Sequence, residues 1–236
     1  MVYQWLKSSQ HCLLCDLPTD TRLPLCSDCE RELPWLGPHC RVCAVPLPAD
    51  GLVCAGCLRR APAFQRVEAP WRYAFPVDAL ITRFKHRSAW PLGHLLAGLL
   101  AEHLRHAWLD GLPRPDLLLP VPLARPRLRR RGFNQAGLLA RWLATELALP
   151  WREDLLLRPQ DTAAQQQLDA AARRGNLRRA FSLADPTAIT GRHLALVDDV
   201  LTTGATAQEA ARTLRAAGAA SVQLWVVARA AAPGDG

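Results

Sequence analysis

One stretch near the carboxyl end constrains the fold of this chain more than any other, because it reads as strand, loop and helix in immediate succession. It covers residues 193–215 and has the sequence HLALVDDVLTTGATAQEAARTLR. Its apolar start, residues 194–197, is typical of a parallel strand buried on both faces. Alanine and leucine at helical spacing then predict an amphipathic helix that packs on the sheet. The stretch therefore indicates an α/β domain with a parallel sheet.

Two carboxylates and a hydroxyl-rich loop stand between that strand and that helix. Asp198 and Asp199 end the strand, at the edge where open α/β sheets bind ligands. The loop that follows contains Thr202, Thr203, Gly204, Ala205 and Thr206. Backbone N–H groups at a helix N-terminus attract anions, and carboxylates suit sugar hydroxyls or Mg²⁺. The segment predicts a sugar-phosphate site, and the full combination disfavours the alternative of a simple capped turn.

All eight cysteines fall in four CxxC pairs near the amino end. These are Cys12 and Cys15, Cys26 and Cys29, Cys40 and Cys43, and Cys54 and Cys57. Residues 1–10 lack the features of a signal peptide, so we expect a cytoplasmic protein with reduced thiols, where such pairs favour metal over disulfides. Two pairs make the Cys₄ set that structural zinc prefers, so the pattern predicts two zinc ions.

The sequence around the first two cysteine pairs resembles the sequence around the last two, and this similarity indicates which pairs share a metal ion. Residues 12–18 resemble residues 40–46, and residues 25–31 resemble residues 53–59. This favours two sequential ribbons, while a cross-braced arrangement stays open. The ribbons either only fold the amino-terminal segment or also form a docking surface for nucleic acid or a protein partner.

A cluster of arginines follows a second predicted strand, residues 115–123. If that strand lies beside the first, the arginines reach the ligand edge of the sheet, where a pyrophosphate needs positive charge. The residues predicted to bind there are Val121, Pro122, Arg125, Arg131 and Gln135. Three further arginines, Arg127, Arg129 and Arg130, equally suit a nucleic acid backbone.

The remaining pattern predicts further elements of the domain. Helices are expected over residues 77–87, from Pro91 onward, and after Asn134 as a cap. We also expect an edge strand within residues 66–75, a third strand at residues 154–158, a mobile loop over residues 159–179 and a disordered tail at residues 230–236.

Charge and hydropathy limit the possible partners. The net charge of +8 is carried almost entirely by arginine, which suits bidentate phosphate contacts. The most apolar helix, residues 92–109, includes His94, Glu102 and Arg105, so we expect no membrane insertion.

The segment VDDVLTTGAT resembles the phosphoribosyl pyrophosphate signature of the type I phosphoribosyltransferases. In that family the acidic pair binds the ribose hydroxyls and the loop holds the 5′-phosphate. Together with ALITRFKH, LLLPVPLARPRLRRRGFNQAGLLARWLA and LLRPQDTAAQQQLDAAARRGNLRRAF, it is similar to the ComF family of double zinc ribbon proteins with a phosphoribosyltransferase domain. The resemblance covers nearly the whole chain.

The resemblance implies a type I phosphoribosyltransferase-like parallel sheet flanked by helices over residues 63–229, preceded by a double zinc ribbon over residues 1–62. It implies that phosphoribosyl pyrophosphate binds with Mg²⁺, and that Asp198, Asp199, Arg125 and Arg131 serve any catalysis. It also implies a role in DNA uptake, natural transformation or DNA utilisation, with single-stranded DNA and competence or DNA-processing proteins as partners.

Two other functions stay open. No hood or glutaminase domain for an acceptor is evident, so the sequence leaves undecided whether a pentosyl transfer with pyrophosphate as leaving group takes place. The alternatives are a metabolic phosphoribosyltransferase acting on a nucleobase or amine, and a non-catalytic interaction module built on the ribbons.

Overall fold

The computed structural model of the protein describes residues 10–159 and 180–231. Its strands are β1 Gln10–His11, β2 Pro18–Thr19, β3 Arg66–Glu68, β4 Trp71–Arg72, β5 Leu117–Pro120, β6 Leu156–Leu157, β7 Ser182–Leu183, β8 His193–Leu201 and β9 Ser221–Arg229. Its helices are α1 Ser27–Arg31, α2 Ala55–Arg59, α3 Val77–Arg87, α4 Trp90–Leu109, α5 Arg125–Arg131, α6 Gln135–Leu147 and α7 Ala205–Ala216, with a 3₁₀ turn at Pro186–Ile189.

The centre of the fold is a five-stranded parallel sheet in the order β3, β9, β8, β5, with β4 also paired to β9. In β8, Val197 lies opposite Pro120 of β5 on one side and Trp225 of β9 on the other. The predicted strand before the acidic pair is therefore a central strand. Its carboxyl end lies between the ends of β5 and β9, which places the loops after all three at one edge.

Side chains of β8 alternate between two hydrophobic clusters, one on each face of the sheet. Ala195 and Val197 belong to the cluster that α3, α4 and α6 cover. Leu194 and Leu196 belong to the cluster that α7 covers. Because both faces are buried, the strand reads as a continuous apolar run rather than an alternating one, and the prediction of a doubly covered parallel sheet is confirmed.

The two cysteine ribbons pack on different faces of this sheet. Leu23 and Leu25 of the first ribbon join the cluster formed with α4 and α6. The approach is close, since a Cβ atom added to Gly98 would lie 2.6 Å from Leu23 Cδ2. Leu36 and Ala44, which bracket the start of the second ribbon, join the cluster on the α7 face. The ribbons are thus anchored to separate parts of the core.

Several predicted elements differ from those observed. The helix predicted over residues 77–87 matches α3, and Pro91 lies in the first turn of α4. The edge strand within residues 66–75 is divided into β3 and β4, because Ala69 and Pro70 separate their pairings to β9. The third predicted strand shortens to β6, which pairs antiparallel with β7 outside the main sheet.

The predicted mobile loop over residues 159–179 lies almost wholly outside the described residues, as does most of the predicted tail, residues 230–236. The described part of that tail is bonded to the domain, because Ala230 N donates to Leu201 O at 2.9 Å. Among residues 10–159 and 180–231, no helix combines the length and the apolar character needed to cross a membrane.

Candidate functional site

The eight cysteines form two clusters, in each of which the four Sγ atoms lie within 4.8 Å of one another. The first consists of Cys12, Cys15, Cys26 and Cys29, and the second of Cys40, Cys43, Cys54 and Cys57. This confirms sequential pairing and excludes the cross-braced arrangement. Four thiolates at this spacing fit a tetrahedral zinc ion, so the chain has two structural zinc sites.

The backbone around each cluster favours thiolates. The N–H groups of Cys54 and Val42 donate to Cys40 Sγ at 3.3 and 3.5 Å. Burial opposes ionisation of Cys40, but these bonds prevail and lower its pKa to about 7. In the first cluster, burial likewise raises the pKa of Cys12, but hydrogen bonds from backbone N–H groups outweigh it and lower the pKa to about 6. A thiolate is the form that binds zinc, so Cys12 and Cys40 are prepared for the metal, whereas burial raises the pKa of Cys29, Cys43 and Cys57. The fit of the donor set therefore rests on four Sγ atoms at ligand spacing.

The acidic pair lies at the carboxyl end of β8, and its two members have different surroundings. The Asp199 side chain is only 6% exposed, and its Oδ2 atom lies 2.7 Å from Lys85 Nζ at the end of α3. Asp198 Oδ1 accepts a hydrogen bond from the Asp199 N–H at 2.9 Å. Burial, then the charge of Asp199, raise the pKa of Asp198 to about 8, while Lys85 and Arg158 oppose that shift.

The loop after the acidic pair presents backbone donors. Gly204 has φ +75°, a left-handed conformation that permits the turn into α7. Thr203 Oγ1 accepts from the Ala205 N–H at 3.4 Å. Within residues 10–159 and 180–231, the N–H groups of Thr203, Gly204 and Thr206 have no hydrogen-bond partner. Residues 202–207 line a cavity of about 70 Å³ together with Asp198, so the loop can hold a small anion.

The arginines after β5 form the helix α5, and Arg131 at its end interacts electrostatically with both members of the acidic pair. Arg131 at the end of α5 donates to Gln135 Oε1 at the start of α6. Burial lowers the pKa of Arg131, and the charges of Asp199 and Asp198 partly restore it. Arg125, the first residue of α5, is exposed and has no recorded contact with the pair.

The turn between α5 and α6 holds a polar atom that has no hydrogen-bond partner among the described residues. Asn134 is the N-cap residue of α6, as predicted, but its side chain makes no capping hydrogen bond. Its Nδ2 donates instead to Val121 O at 3.3 Å. Its Oδ1 atom is buried without a partner. Val121 extends the pairing with β8 through Val197 O at 2.9 Å, and Pro122 follows it, half-buried. The turn thus adds an acceptor beside the ligand edge.

Two cations near the acidic pair were not predicted as site residues. A cation such as Lys85 is favourable at a helix end for any protein, but Lys85 is one of two lysines in a chain rich in arginine, which is the signal that was available. Arg158 follows β6 and lies with Cζ 5.4 Å from the centre of the Phe181 ring. The sequence around Arg158 does not indicate that it lies near Asp198. Arg158 follows β6, Asp198 lies in β8, and only the folded chain brings them together.

The fold is that of an α/β protein with a parallel sheet flanked by helices, behind a double zinc ribbon. Residues 6–58 match the family model described as Double zinc ribbon domain. DNA utilization protein YhgH of Escherichia coli O157:H7 is 40% identical over 172 residues, which cover 72% of this chain and 75% of that protein. Competence protein F of Haemophilus influenzae is 38% identical over 174 residues, 73% of this chain and 76% of that protein. The chain therefore belongs to the ComF family.

Solved structures similar to the chain are also phosphoribosyl enzymes by name. Glutamine phosphoribosylpyrophosphate amidotransferase from B. subtilis is 18% identical, with a TM-score of 0.39, over 57% of this chain and 25% of that chain. HGPRT-ase from Leishmania tarentolae is 20% identical, with a TM-score of 0.31, over 57% of this chain and 65% of that chain.

Proposed function

We propose that the protein binds phosphoribosyl pyrophosphate with Mg²⁺ at the carboxyl edge of its sheet, and that it acts on or with single-stranded DNA during DNA uptake or utilisation. The observation that carries the proposal is the set of free loop N–H groups directly beside two carboxylates. A sugar phosphate offers the complementary groups, namely a phosphate for the loop and hydroxyls for the carboxylates. The names of the relatives, a DNA utilization protein and a competence protein, support the DNA part.

The tasks of the residues follow from their positions. The N–H groups of Thr203, Gly204 and Thr206 donate to the 5′-phosphate, where the dipole of α7 also favours negative charge. Asp198 and Asp199 accept hydrogen bonds from the ribose hydroxyls. The sugar is thereby fixed at two points, which sets the direction in which its pyrophosphate extends.

The pyrophosphate extends towards β5 and α5 in this arrangement. Arg131, held by Gln135, supplies positive charge there. A pentosyl transfer at ribose C1 would release pyrophosphate on this side, where Arg131 stabilises the departing charge. Mg²⁺, when bound with the ligand, would add charge on the phosphate oxygens. The oxygen atoms of Asp198, Asp199 and the orphaned Asn134 Oδ1 fit the donor type that Mg²⁺ prefers.

Calorimetry with phosphoribosyl pyrophosphate and Mg²⁺ tests the ligand. We expect saturable binding to the unmodified protein and none to the Asp198→Asn/Asp199→Asn double variant. Asp110→Asn, just beyond α4, is the matched control and should bind normally. Absence of binding to the unmodified protein at millimolar ligand would refute the proposal, as would normal binding to the double variant. Release of pyrophosphate that depends on a free nucleobase would favour a metabolic transferase instead.

The DNA part depends on the exposed arginines of α5. Arg125, Arg127, Arg129 and Arg130 are exposed, and none forms an ion pair within the described residues. Arginines that are not neutralised by carboxylates remain available for phosphates. They lie at the same edge of the sheet as the loop, so a strand bound there would pass close to the sugar-phosphate site.

Titration of a labelled oligonucleotide at several salt concentrations tests this contact. Arg130→Gln should weaken binding and reduce the slope of log affinity against log salt by about one. Arg192→Gln is the control, because Arg192 is equally exposed but precedes β8 at the opposite edge. Equal effects of the two substitutions would refute a site on α5, and absence of binding at moderate salt would refute the DNA proposal.

A further inference from the structure

The Arg229 side chain, at the end of β9, joins two parts of the chain that are distant in sequence. It is 5% exposed. Its Nε donates to Cys43 O at 3.1 Å, and its Nη1 donates to Leu201 O at 3.0 Å and to Thr202 O at 2.7 Å. Cys43 belongs to the second zinc cluster, and Thr202 begins the anion-binding loop. One planar guanidinium therefore connects the second zinc site to that loop.

The bond to Thr202 O determines how the loop presents its donors. A trans peptide is planar, so its C=O and N–H point in opposite directions. Because Arg229 holds the carbonyl of Thr202, the N–H of Thr203 in the same peptide must point away from Arg229. The Thr203 N–H is one of the free donors described above, in the loop that lines the small cavity. Arg229 thus fixes an anion-binding donor without touching the anion.

The other end of this connection depends on the second zinc site. Cys43 contributes its Sγ to the cluster, and the following residue, Ala44, has φ +56°. Closure of the four thiolates around a metal fixes this tight turn and with it the direction of the Cys43 carbonyl. Loss of the metal frees the turn, and Arg229 then loses one of its fixed acceptors.

The second ribbon and the loop line the same cavity. It has a volume of about 650 Å³ and is lined by Cys54 and Cys57 on the ribbon, by Thr203 and Gly204 on the loop, and by Arg229. Among the described residues, the first ribbon packs on the other face, against α4 and α6, and no comparable side chain links its zinc cluster to the loop. The two zinc sites are therefore not equivalent in what they can influence.

We propose that Arg229 is a positioning residue for the anion-binding loop and that it couples the second zinc site, but not the first, to ligand affinity. The ligand half of this inference rests on the proposed function, whereas the coupling of zinc to loop order does not. The second zinc is then a determinant of sugar-phosphate binding, and its removal or the oxidation of its thiols weakens that binding.

Amide exchange measures the coupling without any ligand. The amides of Ala230, bonded to Leu201 O at 2.9 Å, and of Gln208, bonded to Gly204 O at 2.8 Å, report the order of the loop. We expect about tenfold faster exchange at both in the Cys54→Ser/Cys57→Ser variant and no change in the matched Cys26→Ser/Cys29→Ser variant, at a temperature where both are folded. Equal effects of the two variants, or no effect of the first, would overturn the proposal.

Substitution of Arg229 tests the positioning role with the zinc in place. Arg229→Lys keeps the charge but not the planar fork that reaches four carbonyls, those of Cys43, Leu201, Thr202 and Ala230, so the same two amides should exchange faster while both zinc ions stay bound. Calorimetry of the same variant should give about tenfold weaker phosphoribosyl pyrophosphate binding. If the unmodified protein does not bind this ligand, the proposed function fails, and amide exchange still decides the coupling. Unchanged exchange in Arg229→Lys would refute the positioning role.

Discussion

Lys85 Nζ lies 2.7 Å from Asp199 Oδ2, so the last turn of α3 is joined to the carboxyl end of β8 by an ion pair that is largely buried. The Lys85 side chain is 19% exposed and the Asp199 side chain 6%. The positive charge of Lys85 neutralises the charge of Asp199, one of two adjacent carboxylates. Without it, two negative charges would lie side by side in a buried place, which is strongly unfavourable.

Substitution of Lys85 by methionine should destabilise the protein. Removal of one partner leaves the Asp199 charge buried beside Asp198, and we expect a loss of about 2–4 kcal/mol in the free energy of unfolding near neutral pH. Urea denaturation measures the loss. Lys85→Arg, which keeps the charge, is the control and should lose less. If Lys85→Met/Asp199→Asn is not more stable than Lys85→Met alone, the ion pair does not account for the loss.

The raised pKa of Asp198 predicts a pH dependence of stability. Between the ordinary value of 3.8 and the folded value of about 8, the folded state binds a proton that the unfolded state does not. This stabilisation is complete at low pH and is lost as pH rises through about 8. Asp198→Asn removes the dependence, so it should be more stable than the unmodified protein at pH 9, by on the order of 2 kcal/mol, and equally stable at pH 4.

Thermal unfolding across this pH range checks that expectation. Asp185→Asn is a control, because Asp185 is exposed and its pKa is lowered by the Thr187 side chain and backbone instead. A stability advantage of Asp198→Asn that stays constant from pH 4 to pH 9 would argue against a proton bound at Asp198.

Zinc content after paired substitutions checks the sequential arrangement of the ribbons. Cys12→Ser/Cys29→Ser removes two ligands from one cluster and should leave one zinc that resists a chelator. Cys12→Ser/Cys43→Ser damages both clusters and should leave none that resists it. Elemental analysis after chelation gives the count, and the opposite result would indicate cross-braced sites.

A polar network holds the first ribbon to α4 and α6, which cover one face of the sheet. Glu146 of α6 accepts from Arg22 of the ribbon and from Arg105 of α4, the latter at 3.0 Å. The hydrogen bond from Arg22 is the main cause of the lowered pKa of Glu146, followed by the opposing effect of burial and then by Arg105. The stabilisation is therefore present above the ordinary pKa of 4.5 and is lost as pH falls through the lower folded value.

Glu146→Gln should accordingly cost about 1 kcal/mol near pH 7 and almost nothing in strong acid. Denaturant unfolding at two pH values measures the difference. The exposed Glu32, which forms no ion pair within the described residues, provides the control Glu32→Gln. A loss that persists unchanged at low pH would indicate lost packing rather than lost charge.

Much of the fold was predictable because its signals are local. The apolar run of β8, the helix with alanines on one face and the CxxC spacing each depend on residues close in sequence. The strand at residues 154–158 was predicted at the wrong length, since pairing with a segment beyond residue 180 decides where β6 ends. Asn134 was correctly predicted at the N-cap position of α6, but the tertiary structure directs its side chain to the Val121 carbonyl, and it makes no capping bond.

The sequence by itself determined the parallel sheet, the two Cys₄ sites and the acidic pair with its loop, since periodicity and ligand spacing are properties of adjacent residues. Only the tertiary structure decided that Lys85 neutralises Asp199, that the ribbons lie on opposite faces, and that Arg229 joins a zinc knuckle to the loop. These contacts join residues more than a hundred positions apart or on separate elements. Strand order, and not local propensity, determines whether such residues meet.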